Sequence, residues 1–191
     1  MRAARSLLDN GAGILVSFGL AGGLSAELEP GTLILPRRVL SADARPLLAD
    51  TVSADSIAFA LASALKISRD NLVGLDRAIT TPGDKTALAE ASGAVAVDME
   101  SHGVARVAEA AGVPFLVLRA IADPARQVIP PAALKGMGAD GNLRPFAVIR
   151  ALLGDPKALE PLLKLGRDTE RAMKSLSRAL SLALPVLLLG G

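Results

Sequence analysis

Two carboxylates, each placed after an apolar run, are the residues of this chain best suited to acid–base or hydroxyl-binding chemistry. Glu100 stands in the segment VDMESH, and Asp123 ends the segment LRAIAD. Both runs are typical of buried strands, and residues 103–111 between them have a helical pattern. A strand, a helix and a second strand normally form a parallel, right-handed unit. We therefore predict that both acids lie at the carboxyl edge of one sheet, where open α/β sheets bind ligands.

A glycine-rich segment, FGLAGGL, follows a third apolar run at residues 13–18. Backbone without side chains can approach a ligand closely. The segment does not fit the dinucleotide fingerprint GxGxxG and lacks the GK[ST] ending of a P-loop. A glycine loop facing two acids predicts a site for a polar, uncharged ligand such as a nucleoside, with a plain strand-exit turn as the alternative.

Each candidate also has a purely structural interpretation. Glu100 could complement a helix N-terminus, which is worth about 0.3–1 kcal/mol, and Asp123 could open a turn. His102 is most simply a solvated residue of a helical first turn, and Arg126 is as well suited to the surface. Both are nevertheless candidates for the phosphate or ligand side of the site. Arg119, inside an apolar strand, needs a partner if it is buried.

Strand-like and helix-like segments alternate along most of the chain, which predicts an α/β fold. Residues 33–35 and 38–40 could form a strand pair or one strand bent at Pro36. The other predicted strands are residues 14–18, 71–79, 94–99 and 114–121, and the predicted helices are an N-terminal segment ending at Asn10-Gly11, one beginning near Ser53, and residues 83–91, 103–111, 145–153 and 156 to about 183.

The composition excludes several classes of protein. The 191 residues favour one domain, 1–191, with a helical C-terminal extension from about residue 145. Hydrophobic residues make up 51% but aromatic residues only 2%, which suits an aliphatic sheet buried on both faces. A net charge of +2 without a dense basic run, and the scarcity of stacking aromatics, argue against nucleic-acid binding.

The lack of Cys and the single His argue against disulfides and against a metal centre. The first residues do not have the pattern of a signal peptide, and the apolar tail at residues 182–189 is too short for a bilayer, which needs roughly 20 residues. We expect a cytoplasmic protein, with a peripheral membrane contact of that tail as an alternative.

Three segments together resemble the purine nucleoside phosphorylase and nucleosidase superfamily. They are SFGLAGGL with PGT after it, AVDMES, and VPFLVLRAIAD, and the similarity spans residues 11–124. Within the superfamily the chain looks most like the hopanoid-associated phosphorylases, through TTPGDK, IPPAAL and residues 162–169. The resemblance implies a mixed, largely parallel sheet flanked by helices, lacking the first strands of the family.

The resemblance also implies a role for each matching residue. Glu100 would bind the ribose hydroxyls, with Met99 packed against the sugar. Ala21 and Gly22 would offer backbone close to the sugar and base. Asp123 would donate a proton to N7 of adenine, which would then leave as a neutral base. General acid catalysis of this kind contributes about 10²–10⁴-fold, and it requires Asp123 to be partly desolvated so that it is protonated near neutral pH.

This chain departs from the family pattern in two places. Many relatives carry Ser immediately before the acid, where this chain has Ala122, so we expect that a hydrogen bond orienting the acid is absent. Family members also begin with further strands, which supply the phosphate loop of phosphorylases or the acid that positions water in nucleosidases. The sequence therefore leaves phosphorolysis and hydrolysis open.

The function that the resemblance implies is cleavage of a purine nucleoside with release of adenine, from adenosylhopane in hopanoid biosynthesis. The alternatives are a methylthioadenosine/adenosylhomocysteine nucleosidase and a non-catalytic nucleoside-binding remnant. The expected partner is a small-molecule nucleoside, lipid-linked in the first case. No metal or organic cofactor is expected, phosphate could serve as co-substrate, and assembly as a homo-oligomer is expected.

Overall fold

The computed structural model describes residues 1–41, 45–131, 133 and 158–189 of the chain. Helices and strands alternate along these residues, as the sequence predicts. The elements in chain order are α1 (Arg2–Asp9), β1 (Leu15–Gly23), β2 (Leu33–Ile34), β3 (Arg38–Leu40), β4 (Leu47–Leu48), α2 (Thr51–Leu61), β5 (Ile67–Ser68), β6 (Leu72–Gly74), α3 (Pro82–Ser92), β7 (Ala96–Asp98), α4 (Ser101–Ala111), β8 (Phe115–Asp123) and α5 (Leu159–Leu189).

The strands form one eight-stranded sheet in the order β4-β3-β6-β7-β1-β8-β2-β5. The two longest strands, β1 and β8, are parallel neighbours at its centre. The pairs β2–β5, β3–β6 and β6–β7 are also parallel, whereas β1–β7, β2–β8 and β3–β4 are antiparallel. The prediction of a mixed, largely parallel α/β sheet flanked by helices is confirmed.

Helices cover both faces of the sheet, which explains the aliphatic composition. On one face α1 and α4 pack over the centre of the sheet, with Val117 of β8 in the same cluster. On the other face α2 and α5 pack over β8 and β2, and all nine residues of β8 are buried. A third cluster joins Val73 of β6 and Val97 of β7 to α3. β8 is therefore buried from both sides, whereas Val16 and Phe18 of the neighbouring β1 are exposed.

The prediction that β7 and β8 form a parallel pair is wrong. The two strands lie on opposite sides of β1, and β7 runs antiparallel to β1. Eight residue pairs join β1 to β8, and β1 thereby takes the position beside β8 that the local pattern assigned to the three-residue β7. Local patterns identify each strand, but the competition between distant partners decides the order.

Residues 33–35 and 38–40, predicted as a strand pair or one bent strand, belong to opposite halves of the sheet. β2 pairs with β8 and β5, whereas β3 pairs with β4 and β6. The two-residue strands β4 and β5 were not predicted, because so short a run has no periodicity to detect. The predicted helix at 145–153 lies outside the described residues. No helix in the described ranges has the length and hydropathy needed to cross a membrane.

The start of α3 is encoded locally, and this matters for the site. Thr81 is the N-cap, and its Oγ1 accepts a hydrogen bond from the Asp84 amide at 3.2 Å. Pro82 occupies the first helical position, where its missing N–H has no cost. Gly93, with a φ of +66°, ends the helix in the left-handed conformation. These boundaries place Lys85 one turn into the helix, on the side that meets the core.

Candidate active site

A cavity of about 510 Å³ opens beside the ends of β1, β7 and β8. Its walls combine backbone from β1, the acids that follow β7 and end β8, the loop after β6, and one side of α5. The lining residues are Leu20, Ala21, Gly22, Arg77, Ala78, Ile79, Val97, Asp98, Met99, Glu100, Ala122, Asp123, Ile129, Ala133, Leu162, Leu165, Gly166 and Thr169. Every residue that the sequence assigns to the substrate or to acid catalysis lines this one cavity.

Glu100 and Asp123 reach the cavity from strands on either side of β1. Gly22 pairs with Asp123 on one side and with Val97 on the other, so these three residues form one row across the sheet. Glu100 lies two residues beyond the end of β7, as the N-cap of α4, and lines the same cavity as Asp123. The two carboxylates therefore face the same space without touching, and the antiparallel order of β7 does not separate them.

Asp123 is buried, with 9% of its surface exposed, and it forms an ion pair that the sequence analysis missed. Its Oδ2 accepts a hydrogen bond from Lys85 Nζ at 2.7 Å. Lys85 has no exposed surface and also donates to the backbone carbonyls of Asp123 at 3.0 Å and Pro124 at 2.9 Å. A signal for this pair exists in the sequence, because Lys85 lies three and four residues before Leu88 and Ala89, on the core-facing side of α3.

The protonation of Asp123 reflects two opposing influences. Burial raises the pKa of Asp123 above its ordinary value, because a charged carboxylate loses its hydration there. The Lys85 ammonium lowers the pKa through its charge and its hydrogen bond, and offsets part of that rise. The net direction is upward, which is the direction that a proton donor at this position requires.

Arg119 forms the second charged cluster of the site, on the Glu100 side. It is buried, and its guanidinium lies 2.8 Å from Asp98 and 3.2 Å from Glu100. Arg119 Nη2 also donates to Ser17 Oγ at 2.7 Å, and the Ser101 amide donates to Asp98 at 3.1 Å. The prediction that a buried Arg119 needs a partner is confirmed, and the partner found is the loop that carries Glu100.

The glycines predicted as a loop after β1 are part of the strand, which continues to Gly23. Their lack of side chains makes room for the two charged clusters. A Cβ on Gly19 would lie 2.5 Å from the guanidinium of Arg119, and a Cβ on Gly22 would lie 3.0 Å from Asp123 Oδ2. The glycine segment therefore brings charged side chains close to the backbone as well as opening it to a ligand.

His102 and Arg126 do not take the predicted ligand-side positions. His102 is buried beneath β6, 3.1 Å from the exposed Asp76, and does not line the cavity, so its interpretation as a solvated residue is also wrong. Tight packing explains this, because a Cβ on Gly74 would touch the imidazole ring. Arg126 is exposed and is not among the lining residues. Arg77, which sequence analysis did not single out, is exposed and does line the cavity.

Comparison with known proteins defines the family. Residues 1–154 match the model of the Phosphorylase superfamily, and the chain belongs to this superfamily. No curated protein sequence matches the chain. Within the described ranges, no cluster of acidic or histidine side chains could hold a metal ion.

Solved structures with the same fold come from nucleoside-cleaving enzymes. The 5′-methylthioadenosine/S-adenosylhomocysteine nucleosidase of Helicobacter pylori, with butyl-thio-DADMe-Immucillin-A, has 18% identity and a TM-score of 0.64 over 94% of this chain and 73% of that one. A Weissella paramesenteroides protein, provisionally assigned as a methylthioadenosine nucleosidase, has 19% identity and a TM-score of 0.61 over 92% of this chain and 73% of that one. Futalosine hydrolase of Helicobacter pylori has 20% identity and a TM-score of 0.58 over 64% of this chain and 62% of that one. At these identities the likeness shows a shared fold.

Proposed function

We propose that this protein cleaves the N-glycosidic bond of a purine nucleoside and releases adenine. The observation that carries the proposal is the pair of carboxylates on one cavity, with Asp123 buried and Glu100 in the open part of the wall. Membership of the Phosphorylase superfamily supports the reaction class. The similar folds of two kinds of nucleoside hydrolase support it as well.

In this proposal Asp123 protonates N7 of adenine as the bond to the sugar breaks. The protonated base leaves as neutral adenine, and positive charge develops on the sugar in an oxocarbenium-like transition state. Glu100 accepts hydrogen bonds from the ribose hydroxyls, and its negative charge stabilises that sugar. Met99 packs against the ribose, while the backbone of Ala21 and Gly22 lies against the sugar and base. General acid catalysis by Asp123 is expected to contribute about 10²–10⁴-fold.

The 5′ substituent of the substrate is proposed to be apolar, with adenosylhopane as the preferred substrate. Support comes from the wall of the cavity formed by Ile129, Ala133, Leu162 and Leu165, which offers an apolar surface next to the acids. Methylthioadenosine, with a small apolar 5′ group, is the alternative. It occupies the active site in one structure of the Helicobacter pylori nucleosidase, whose fold is similar.

The acceptor of the sugar is either phosphate or water. His102 and Arg126, the cations first considered for phosphate, do not line the cavity. Arg119 is engaged by Asp98, Glu100 and Ser17, so Arg77 is the exposed cation among the described lining residues. Neither acceptor is favoured by these contacts, and the assay has to distinguish them.

The test is release of adenine from adenosylhopane and from methylthioadenosine, with and without phosphate. Release that depends on phosphate identifies a phosphorylase, and release without it identifies a nucleosidase. Asp123→Asn should lower kcat by at least about 10²-fold while sparing binding, because the amide cannot donate a carboxylic proton. The matched control is Asp9→Asn, an exposed acid on α1, which should leave the rate unchanged.

Two results would contradict the proposal. An Asp123→Asn variant with the wild-type rate removes Asp123 from the chemistry. A wild-type chain that binds adenosine or methylthioadenosine in calorimetry but releases no adenine is a non-catalytic nucleoside-binding protein.

A further inference from the structure

The ammonium group of Lys85 is fully committed to the turn that carries Asp123. Its three shortest contacts are Asp123 Oδ2 at 2.7 Å, the Pro124 carbonyl at 2.9 Å and the Asp123 carbonyl at 3.0 Å. A lysine ammonium has three N–H donors, so these acceptors account for all of them. A longer approach to the Gln127 carbonyl, at 3.5 Å, comes from the same turn. Lys85 is not a lining residue of the cavity, and it has no donor left for a ligand.

These contacts fix Asp123 at two points. The side chain is held through Oδ2, and the backbone that follows is held through two carbonyls. The residue before Asp123 is Ala122, which has no polar side chain that could orient the carboxyl group. On the other side, Gly22 leaves just enough space for the carboxylate. The orientation of Asp123 in the cavity therefore depends on Lys85.

We propose that Lys85 is a positioning residue that holds Asp123 in the orientation and the charge balance from which it donates its proton. This inference rests on the proposed function of Asp123 as a general acid. Lys85 itself does not touch the reacting atoms; it acts through Asp123.

The electrostatic part of the role follows from the surroundings of Asp123. Lys85 is the cation in direct contact with its carboxylate. The other charged groups of the described cavity are Asp98 and Glu100, both paired with Arg119, and the exposed Arg77. Behind the turn, Lys164 of α5 binds the Gln127 side chain and Asp168. Without Lys85, the rise that burial causes in the pKa of Asp123 is opposed only by a backbone hydrogen bond to the carboxyl group.

The pH dependence of adenine release tests this role. A general acid works in its protonated form, so the rate falls as the pH rises through the pKa of Asp123. In Lys85→Met that pKa rises further, and the descending limb of the rate profile should move upward by about one pH unit or more, since a contacting opposite charge lowers an acid pKa by about 1–3. At low pH, kcat should fall about 10²-fold through misplacement of the acid, with KM unchanged.

Three further variants make the test specific. Lys85→Arg keeps the charge and should retain the wild-type position of the limb. Lys85→Gln keeps hydrogen-bond donors without charge, and its limb should move upward even if Lys85→Met does not fold. Lys66→Met removes an exposed lysine that pairs with Glu29 and should leave the whole profile unchanged.

Failure of the inference and failure of the proposed function give different results. The role of Lys85 is overturned if the wild-type chain releases adenine and both Lys85→Met and Lys85→Gln keep its kcat and the position of the descending limb of its pH–rate profile. A wild-type chain that releases no adenine overturns the proposed function instead. In that case a carboxyl ¹³C NMR titration decides on Lys85: an upward shift of the Asp123 midpoint in the variants upholds its control of the carboxyl, and an unchanged midpoint overturns it.

Discussion

At the scale of single residues, Glu100 and Asp123 carry the same functional group in opposite environments. The side chain of Asp123 is 13% exposed and touches a buried lysine, whereas the side chain of Glu100 is 62% exposed and touches Arg119. Burial favours the neutral form of Asp123, which can donate a proton, whereas Glu100 presents an exposed carboxylate to the cavity, where it can accept hydrogen bonds. The different environments therefore suit Asp123 to proton donation and Glu100 to binding of the sugar in the proposed reaction.

This division predicts that Glu100→Gln weakens the sugar side of the site. The amide keeps one oxygen acceptor but loses the charge, and hydrogen bonds to charged groups are worth about 1.5–3 kcal/mol. We expect kcat/KM for methylthioadenosine to fall about tenfold or more, measured by steady-state release of adenine. Glu90→Gln, at an exposed position of α3, is the control. A Glu100→Gln variant that matches this control would show that Glu100 does not contact the substrate.

At the scale of elements, β1 positions the site because its glycines have no side chains and therefore leave room for charged groups. Arg119 and Asp123 of the neighbouring strand β8 both approach β1, and a side chain at Gly19 or Gly22 would collide with one or the other. Glycine in the interior of a strand weakens it, and such positions often mark a close approach by another group. Here the approaching groups are the charged side chains of β8.

Gly19→Ala should displace the guanidinium of Arg119, because the new Cβ would lie 2.5 Å from it. The move disturbs the contacts with Asp98 and Glu100, and we expect a loss of about 1–3 kcal/mol in the free energy of unfolding, as for other overpacked positions. Urea denaturation measures this loss. Gly13→Ala is the matched control, since no atom lies within 4 Å of its Cβ. Equal midpoints for the two variants would contradict the packing described here.

At the scale of the whole molecule, α5 closes one face of the sheet and one wall of the cavity. Its small and aliphatic residues Ala172, Leu176, Ala179 and Ala183 are buried over β8 and α2. Leu162 and Leu165 of the same helix line the cavity. The contacts of Lys164 with Asp168 and Gln127 join the helix to the turn after Asp123. Stability and site geometry are thus coupled through one helix.

Leu176→Ala tests that packing, because Leu176 is 1% exposed. We expect a loss of about 2–5 kcal/mol in the free energy of unfolding, the usual cost of such a truncation in a core. Leu163→Ala, on the same helix but 58% exposed, should change stability by less than about 0.5 kcal/mol. Thermal and urea unfolding of the pair measure the difference. Equal effects of the two substitutions would mean that α5 does not pack on the sheet as described.

The sequence by itself determined the α/β class, most helices and strands, and five of the residues that line the cavity, namely Ala21, Gly22, Met99, Glu100 and Asp123. These features depend on neighbouring residues: apolar runs, helix caps such as Thr81, and acids placed directly after strands. The tertiary structure decided the placement of β7 and β8 on either side of β1, the burial of His102 and the pairing of Lys85 with Asp123. Each of these depends on contacts between distant residues. Strand order depends on which distant strands pair, and the environment of a charge depends on what packs around it, so neither can be read from a local pattern.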